Sequence, residues 1–368
     1  MSLRDVIVGI IRKEGPIPFS RYMELCLYHP ELGYYARPKE KFGKSGDFYT
    51  SSDVHAVFGR LLARQFEEMW RELGSPAEID LIELGPGRGL FAQDVLDWSG
   101  KKFPEFAAAL RYRLVESSPS LRSRLEQRFA SDTRVKVYAE LEEAAQECGS
   151  ALIVFGNEFF DAIPVEIVSE YGELRIGEKN GEFVEVWTEQ SRPTTDFLYW
   201  YGVNPRPGER VEAPRLANGW MQRIAAAFAE RRGFALFIDY GYTREQQVAG
   251  RHRDTLMTYR EHQTSPNAYE APGEQDITAH VNFTALQQVA EAGGMTSLGL
   301  VTQSSLLLGI GHETEFSDAF EGCVLPQERV KVTLQLKHLI SPEGLGESFQ
   351  ALVLARGVEK VELSGVSF

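Results

Sequence analysis

Three glycines stand at alternate positions in Glu83-Leu84-Gly85-Pro86-Gly87-Arg88-Gly89, directly after the apolar run Ile79-Asp80-Leu81-Ile82 and before a helical stretch from Leu90. Glycine tolerates positive φ and lets a ligand approach the backbone, while a helix N-terminus offers unpaired N–H donors. A tight strand-to-helix turn is the plain reading of such a segment, but three glycines plus a carboxylate at the strand end exceed what a turn needs. The dinucleotide fingerprint G-x-G-x-x-G would place its last glycine where this chain has Leu90. The early third glycine favours S-adenosylmethionine as cofactor, with S-adenosylhomocysteine as product. Glu83 agrees, being an acceptor that suits an ammonium or sulfonium and that a pyrophosphate would reject. Glu83, Gly85, Gly87 and Gly89 are therefore candidate cofactor residues.

The next expected strand ends at Leu114-Val115-Glu116-Ser117, placing a carboxylate where it can accept both ribose hydroxyls, with Ser117 beside it. Glu116 could otherwise simply favour the N-terminus of the helix that follows. After the third strand, Glu140 and Leu141 fall where such folds meet an adenine. After the fourth comes Asn157-Glu158-Phe159-Phe160-Asp161-Ala162-Ile163-Pro164. Ligands of open α/β sheets bind outside the carboxyl ends of the strands, so these polar groups face the transferring methyl. A guanidinium nucleophile has a pKa of roughly 12.5 to 13.8 and spreads its charge over three nitrogens. Glu158 and Asp161 have the chemistry to clamp it and localise that charge, and Asn157 could orient an amine through its side-chain oxygen. Phe159 and Phe160 read as core packing, with an aromatic wall against a cation as the alternative.

These groups need a scaffold. From Ile79 onward, apolar runs alternate with helical stretches, the pattern of a parallel sheet covered on both faces. Strands are expected at 80–83, 112–116, 135–138, 151–156, 234–240, 295–303 and 349–356. Helices are expected at 90–98, 118–129, 220–231, 283–292 and 327–339. Residues 1–75 carry helical spacing in Val6, Ile7, Ile10 and Ile11, and again from Val57 to Trp70. They read as an N-terminal helical cap with a loop at Gly43 to Ser52, and 76–368 as the methyltransferase core. Two insertions interrupt that core, at about 165–215 and 241–282. The first begins with a short antiparallel meander turning at Tyr171-Gly172 and Asn180-Gly181, and 241–276 reads as an irregular functional loop.

Composition bounds the function. With 368 residues, 43% hydrophobic and 25% charged, the chain matches a soluble globular protein, and no run approaches the roughly 18 apolar residues of a membrane span. A net charge of -14 disfavours nucleic acid as substrate and favours a cationic protein side chain. The three cysteines are odd in number and far apart, which indicates neither a disulfide framework nor a zinc site, and no metal is expected. A cytoplasmic location is expected, since the N-terminus lacks a signal or transit pattern. Composition is silent on the oligomeric state.

Four separated motifs, Gly46-Asp47-Phe48-Tyr49-Thr50-Ser51, Glu83 to Gly89, Asn157 to Pro164, and Asp276-Ile277-Thr278-Ala279-His280-Val281-Asn282-Phe283, together resemble the MidA-like methyltransferases. That family includes a mitochondrial assembly factor of respiratory complex I. The resemblance implies an α/β class I methyltransferase fold, a Rossmann-like sheet of seven strands whose last, 349–356, is antiparallel. It also implies protein-arginine methylation. By analogy Asp47 and its loop close over cofactor and substrate, Asp239 ends the fifth strand near the site, and Asp276 and His280 take substrate-side roles. A small-molecule methyltransferase and a cofactor-binding assembly factor without turnover remain as alternatives.

Overall fold

The computed structural model describes residues 2–36, 56–260, 263–265, 267–358 and 361–367. Asp47 and the loop Gly43 to Ser52 therefore lie outside the described residues. The chain forms two compact units. One gathers residues 2–36, Phe160–Met221 and Gly241–Val289; the other gathers 56–159, Gln222–Tyr240 and 290–367.

The second unit carries the main sheet. Its strands are β1 (Ile79–Leu84), β2 (Leu110–Val115), β3 (Val135–Tyr138), β4 (Ala151–Asn157), β5 (Arg232–Tyr242), β6 (Thr296–Thr302) and β7 (Phe349–Arg356). Their order across the sheet is β6-β7-β5-β4-β1-β2-β3. Neighbours from β5 to β3 pair in parallel, while β7 runs antiparallel to both β5 and β6. Every residue of β1 is buried, which explains why Ile-Asp-Leu-Ile-Glu-Leu does not alternate like a half-exposed strand. One face is packed by Ala56–Glu72 and Leu90–Lys102, with Phe58, Leu62, Phe66, Phe91 and Leu96 set against Leu81, Ile153 and Phe155. Helices Gln303–His312 and Pro326–Ile340 close the same core through Leu307, Ile310 and Leu339. Asp80, buried in β1, is held by an ion pair at 3.0 Å with Arg113 and by the N–H of Gly149 at 2.8 Å.

The first unit is built on antiparallel pairing. Gly172–Lys179 pairs with Glu166–Ser169, with Glu182–Thr188 and with Ile17–Pro18, and Glu166–Ser169 also pairs with Arg210–Ala213. Asn180 and Gly181 both take positive φ, 56° and 85°, the requirement of a two-residue hairpin turn closing on Lys179 and Glu182. The helices Leu3–Glu14 and Phe19–Tyr28 pack Ile7, Phe19 and Met23 with Ile167, Leu174 and Ile176.

The expectation of an irregular loop over 241–276 is corrected. This stretch holds the short helix Arg244–Val248 and a sheet in which Met257–Arg260 pairs with Gln263–Ser265 and Asp276–Thr278. Strands of three or four residues are too short to establish a period of two, so Thr258 and Tyr259 gave no pattern to read. The helix expected from Trp220 starts at Arg215, after Pro214, and helices Arg192–Trp200 and Gln303–His312 were not anticipated. Among the described residues no helix is long and apolar enough to cross a membrane.

Candidate active site

β1 delivers the glycine loop. Leu84 pairs with Val115 on one side and Gly156 on the other, so Gly85, Glu116 and Asn157 leave neighbouring strands at one level. Gly85 is tied to β2 by its N–H donating to Val115 O at 3.0 Å, and takes φ 65°. Gly87 and Gly89 are left-handed as well, at 53° and 72°. Gly89 caps the helix Leu90–Lys102 without any side-chain hydrogen bond. That leaves the first-turn N–H groups without a side-chain cap, a terminus able to meet an anion such as a carboxylate. A Cβ at Gly89 would stand 2.6 Å from Leu125 Cδ2, so any side chain here forces Leu125 to shift.

Glu83 does not present its carboxyl at the loop surface. It is buried at 4% exposure, and its Oε2 accepts from Tyr112 OH at 2.8 Å. Burial pushes this carboxyl up to about 8 despite the tyrosine hydrogen bond, so it holds a proton at neutral pH. Tyr112 was not singled out from the sequence. It sits beside Leu81 in register, two residues below Glu83, and a tyrosine facing an acid two places along the neighbouring parallel strand was the available signal.

Glu116 is buried just past β2, with Oε1 accepting the Ser118 N–H at 2.8 Å. Arg122 donates to the carbonyls of Glu116 and Ser117 at 2.8 and 2.7 Å, fixing the turn, while the Ser117 side chain is exposed. Glu140 is exposed at the start of helix Leu141–Gln146, and Leu141 is buried. Arg223 ties this turn down, donating to Glu140 Oε2 at 2.9 Å and to both oxygens of Glu142 at 2.6 Å. Sequence reasoning passed over Arg223, which lies far away in the chain.

Asn157 ends β4. Its Nδ2 donates to Glu158 Oε1 at 3.0 Å, and its Oδ1 is buried without a hydrogen-bond partner among the described residues. An orphaned buried acceptor costs about 1–3 kcal/mol, so this atom calls for a donor from outside the fold. Glu158 takes φ 51°, rare for a residue with a Cβ, and its N–H donates to Ile238 O at 2.9 Å. Asp239, one place further along β5, is buried and accepts the Tyr240 N–H at 2.8 Å. Phe159 is half-buried, while Phe160 is buried.

The first unit holds Asp161, Asp276 and His280. Asp161 is buried, its carbonyl accepting the Ala279 N–H at 3.0 Å, and burial followed by the charge of Asp276 pushes its carboxyl up to about 7. Asp276 accepts from Tyr35 OH at 3.2 and 3.3 Å and from Ile277 N–H at 3.0 Å. Tyr35 stacks on Tyr28 at 5.4 Å, and Tyr28 OH donates to Ala162 O at 2.9 Å. His280 Nδ1 lies 3.1 Å from His252 Nδ1, and burial lowers His280 to about 4, so the imidazole is neutral at pH 7. The structure thus joins Asp161 with Asp276, and His280 with His252. Tyr28, Tyr35 and His252 were missed because their partners are remote in sequence.

The residues around Gly85 fit S-adenosylmethionine. Asn157 Oδ1 can accept from the ammonium of its methionine part, the uncapped helix N-terminus can take the carboxylate, and Glu116 can take ribose hydroxyls. A sheet ordered β6-β7-β5-β4-β1-β2-β3 with β7 reversed and a glycine loop after β1 is the class I methyltransferase architecture, as the resemblance implied. Residues 61–301 match the model of the family described as "Putative S-adenosyl-L-methionine-dependent methyltransferase", and the chain belongs to this family of methyltransferases. It is similar to the mitochondrial protein arginine methyltransferase NDUFAF7 homolog of Drosophila melanogaster, 30% identical over 97% of this chain and 85% of that one. The Danio rerio and Homo sapiens NDUFAF7 proteins, also named mitochondrial protein arginine methyltransferases, are 28% and 26% identical over 95% and 94% of this chain. They are covered to 86% and 81% of their own lengths. A crystal structure from Burkholderia thailandensis bound to S-adenosyl-homocysteine matches with TM-score 0.84 and 28% identity, covering 99% of this chain and 94% of that one. The MidA-like resemblance therefore stands. The cytoplasmic expectation does not: these curated relatives are mitochondrial proteins and point to mitochondria instead.

Proposed function

We propose that this methyltransferase acts on the guanidinium of an arginine in a protein, a subunit of respiratory complex I or one like it. The observation that carries this reading is the shared name, protein arginine methyltransferase, of relatives aligned over 94–97% of the chain. Methyl transfer is an in-line displacement, so the protein's tasks are alignment and charge placement. The loop Gly85 to Gly89 seats the methionine part of the cofactor with Asn157, Glu116 holds the ribose, and Glu83, buried with its proton, supports the loop from behind. Ser117, Glu140 and the turn at Leu141 border the adenine. Glu158 binds the guanidinium and localises its charge, so that one nitrogen attacks the methyl carbon as the sulfur–carbon bond breaks toward sulfur, and Asp161 keeps the substrate role that its motif suggests. The proton leaving that nitrogen passes to a carboxylate. Asp47 and His280 keep the roles that the resemblance gives them.

The test uses tritiated methyl donor with complex I subunits and arginine peptides, followed by mass spectrometry of the product. Methylated arginine is the expected outcome. Label recovered only in small molecules, or cofactor binding with no transfer at all, overturns the reading. Glu158→Gln is expected to lower kcat about 10²- to 10⁴-fold, the range of a lost acid–base group, while S-adenosylhomocysteine still binds.

A further inference from the structure

Phe159 occupies an unusual seat. The left-handed backbone of Glu158, pinned by its N–H donating to Ile238 O at 2.9 Å, turns the chain sharply off the end of β4. This turn brings the Phe159 ring against the glycine loop: a Cβ at Gly85 would stand 3.3 Å from Phe159 Cδ2 and 4.0 Å from Cε2. A Cβ at Gly156 would stand 3.3 Å from Phe159 Cβ. Gly85 thus makes room for the ring, and Gly156 for the base of its side chain and for Phe237. The neighbouring Phe160 is sunk to 3% exposure, but Phe159 stays half-buried beside the first glycine of the loop. Backbone strain that holds an apolar ring partly exposed beside a ligand loop is costly, and such strain gathers where a ligand is bound.

From this geometry we infer that Phe159 is a specificity residue, an aromatic wall that favours the positively charged methyl donor over its neutral product. The inference rests on the cofactor reading above. The face of a phenyl ring carries negative charge density and attracts a cation within about 6 Å of its centroid. The sulfonium of S-adenosylmethionine is such a cation. On transfer the sulfur–methyl bond breaks, its electron pair stays on sulfur, and the resulting thioether is neutral, so the ring's attraction is lost as the product forms. The wall thereby reduces product inhibition, and Phe159 joins the residues that touch the cofactor.

Isothermal titration of the full chain with S-adenosylmethionine and, separately, S-adenosylhomocysteine tests this. Phe159→Leu is expected to weaken the first by about 3- to 30-fold and the second by less than about twofold, the range of a cation–π contact of roughly 0.5–2 kcal/mol. Phe159→Trp keeps the preference. Because leucine also changes shape, site-specific incorporation of trifluorinated phenylalanine at position 159 supplies a ring of nearly equal size without the negative face. It is expected to reproduce the selective loss with an unchanged melting temperature. Equal weakening of both ligands, or no change in either, overturns the inference while leaving the cofactor reading intact. Failure of the unaltered protein to bind either ligand overturns the cofactor reading itself.

Discussion

Glu83 and Asn157 lie at the ends of paired strands, and each is unfinished in a different way. Glu83 is complete only with a proton: its folded value of about 8 stands above the ordinary 4.5 of a glutamate. A raised carboxyl stabilises the fold fully below the unfolded value and loses that contribution as pH climbs through the folded one. The wild type is therefore expected to lose stability between about pH 4.5 and 8 more steeply than Glu83→Gln, which keeps an acceptor for Tyr112 without the ionisation. Melting curves across that window check the sign, and parallel slopes would falsify the assignment. Asn157 lacks a donor for Oδ1 among the described residues. Asn157→Ala is expected to weaken S-adenosylhomocysteine about tenfold in titration calorimetry, the loss of one hydrogen bond of about 1.4 kcal/mol, while the fold survives.

At the scale of the element, the helix Leu90–Lys102 holds two glycines with opposite demands. Gly89, its N-cap, needs φ 72° and has Leu125 Cδ2 only 2.6 Å from where a Cβ would stand. Gly89→Ala adds left-handed strain of about 1–2 kcal/mol and overpacking of about 1–3 kcal/mol, so a stability loss of at least about 2 kcal/mol is expected in urea titration. Gly100 is exposed in the helix interior, and a Cβ there would meet nothing within 4 Å. Gly100→Ala is expected to gain about 0.5–1 kcal/mol in the same experiment. A gain at both positions would mean that the loop's conformation is not set by glycine. The glycine loop was legible in the sequence because close backbone approach leaves a residue-type signature. The strand 349–356 and the helix 283–292 were legible because a long buried apolar pattern does too. The sheet around Met257–Arg260 left no such mark, since its strands are stabilised by partners rather than by their own pattern.

For the whole molecule, the charge of -14 bears on substrate capture. A field of that sign accelerates encounter with a cationic peptide, and salt screens it over a Debye length of about 10 Å at 0.1 M. kcat/KM for an arginine-rich peptide is expected to fall as ionic strength rises from about 20 to 500 mM, more steeply than for an acidic peptide carrying the same target arginine. Indistinguishable salt slopes for the two peptides would remove electrostatic steering from the account. Composition made this expectation available without any fold, because net charge is a sum over residues and does not depend on where they sit. Location followed a different logic: the N-terminal segment suggested the cytoplasm, and kinship with mitochondrial proteins overturned it.

The sequence by itself determined the class of fold and the glycine loop proposed to hold the cofactor, since both arise from neighbours along the chain: buried runs, turn glycines and the residues at strand ends. Only the tertiary structure decided that Glu83 is capped by Tyr112, that Asp276 is met by Tyr35, that His280 faces His252, and that Phe159 lies against Gly85. Each of these is a meeting of side chains from separate elements, and such meetings depend on register and packing that no local spacing encodes. The glycine loop is thus a property of the sequence, and the surroundings that tune its chemistry are a property of the fold.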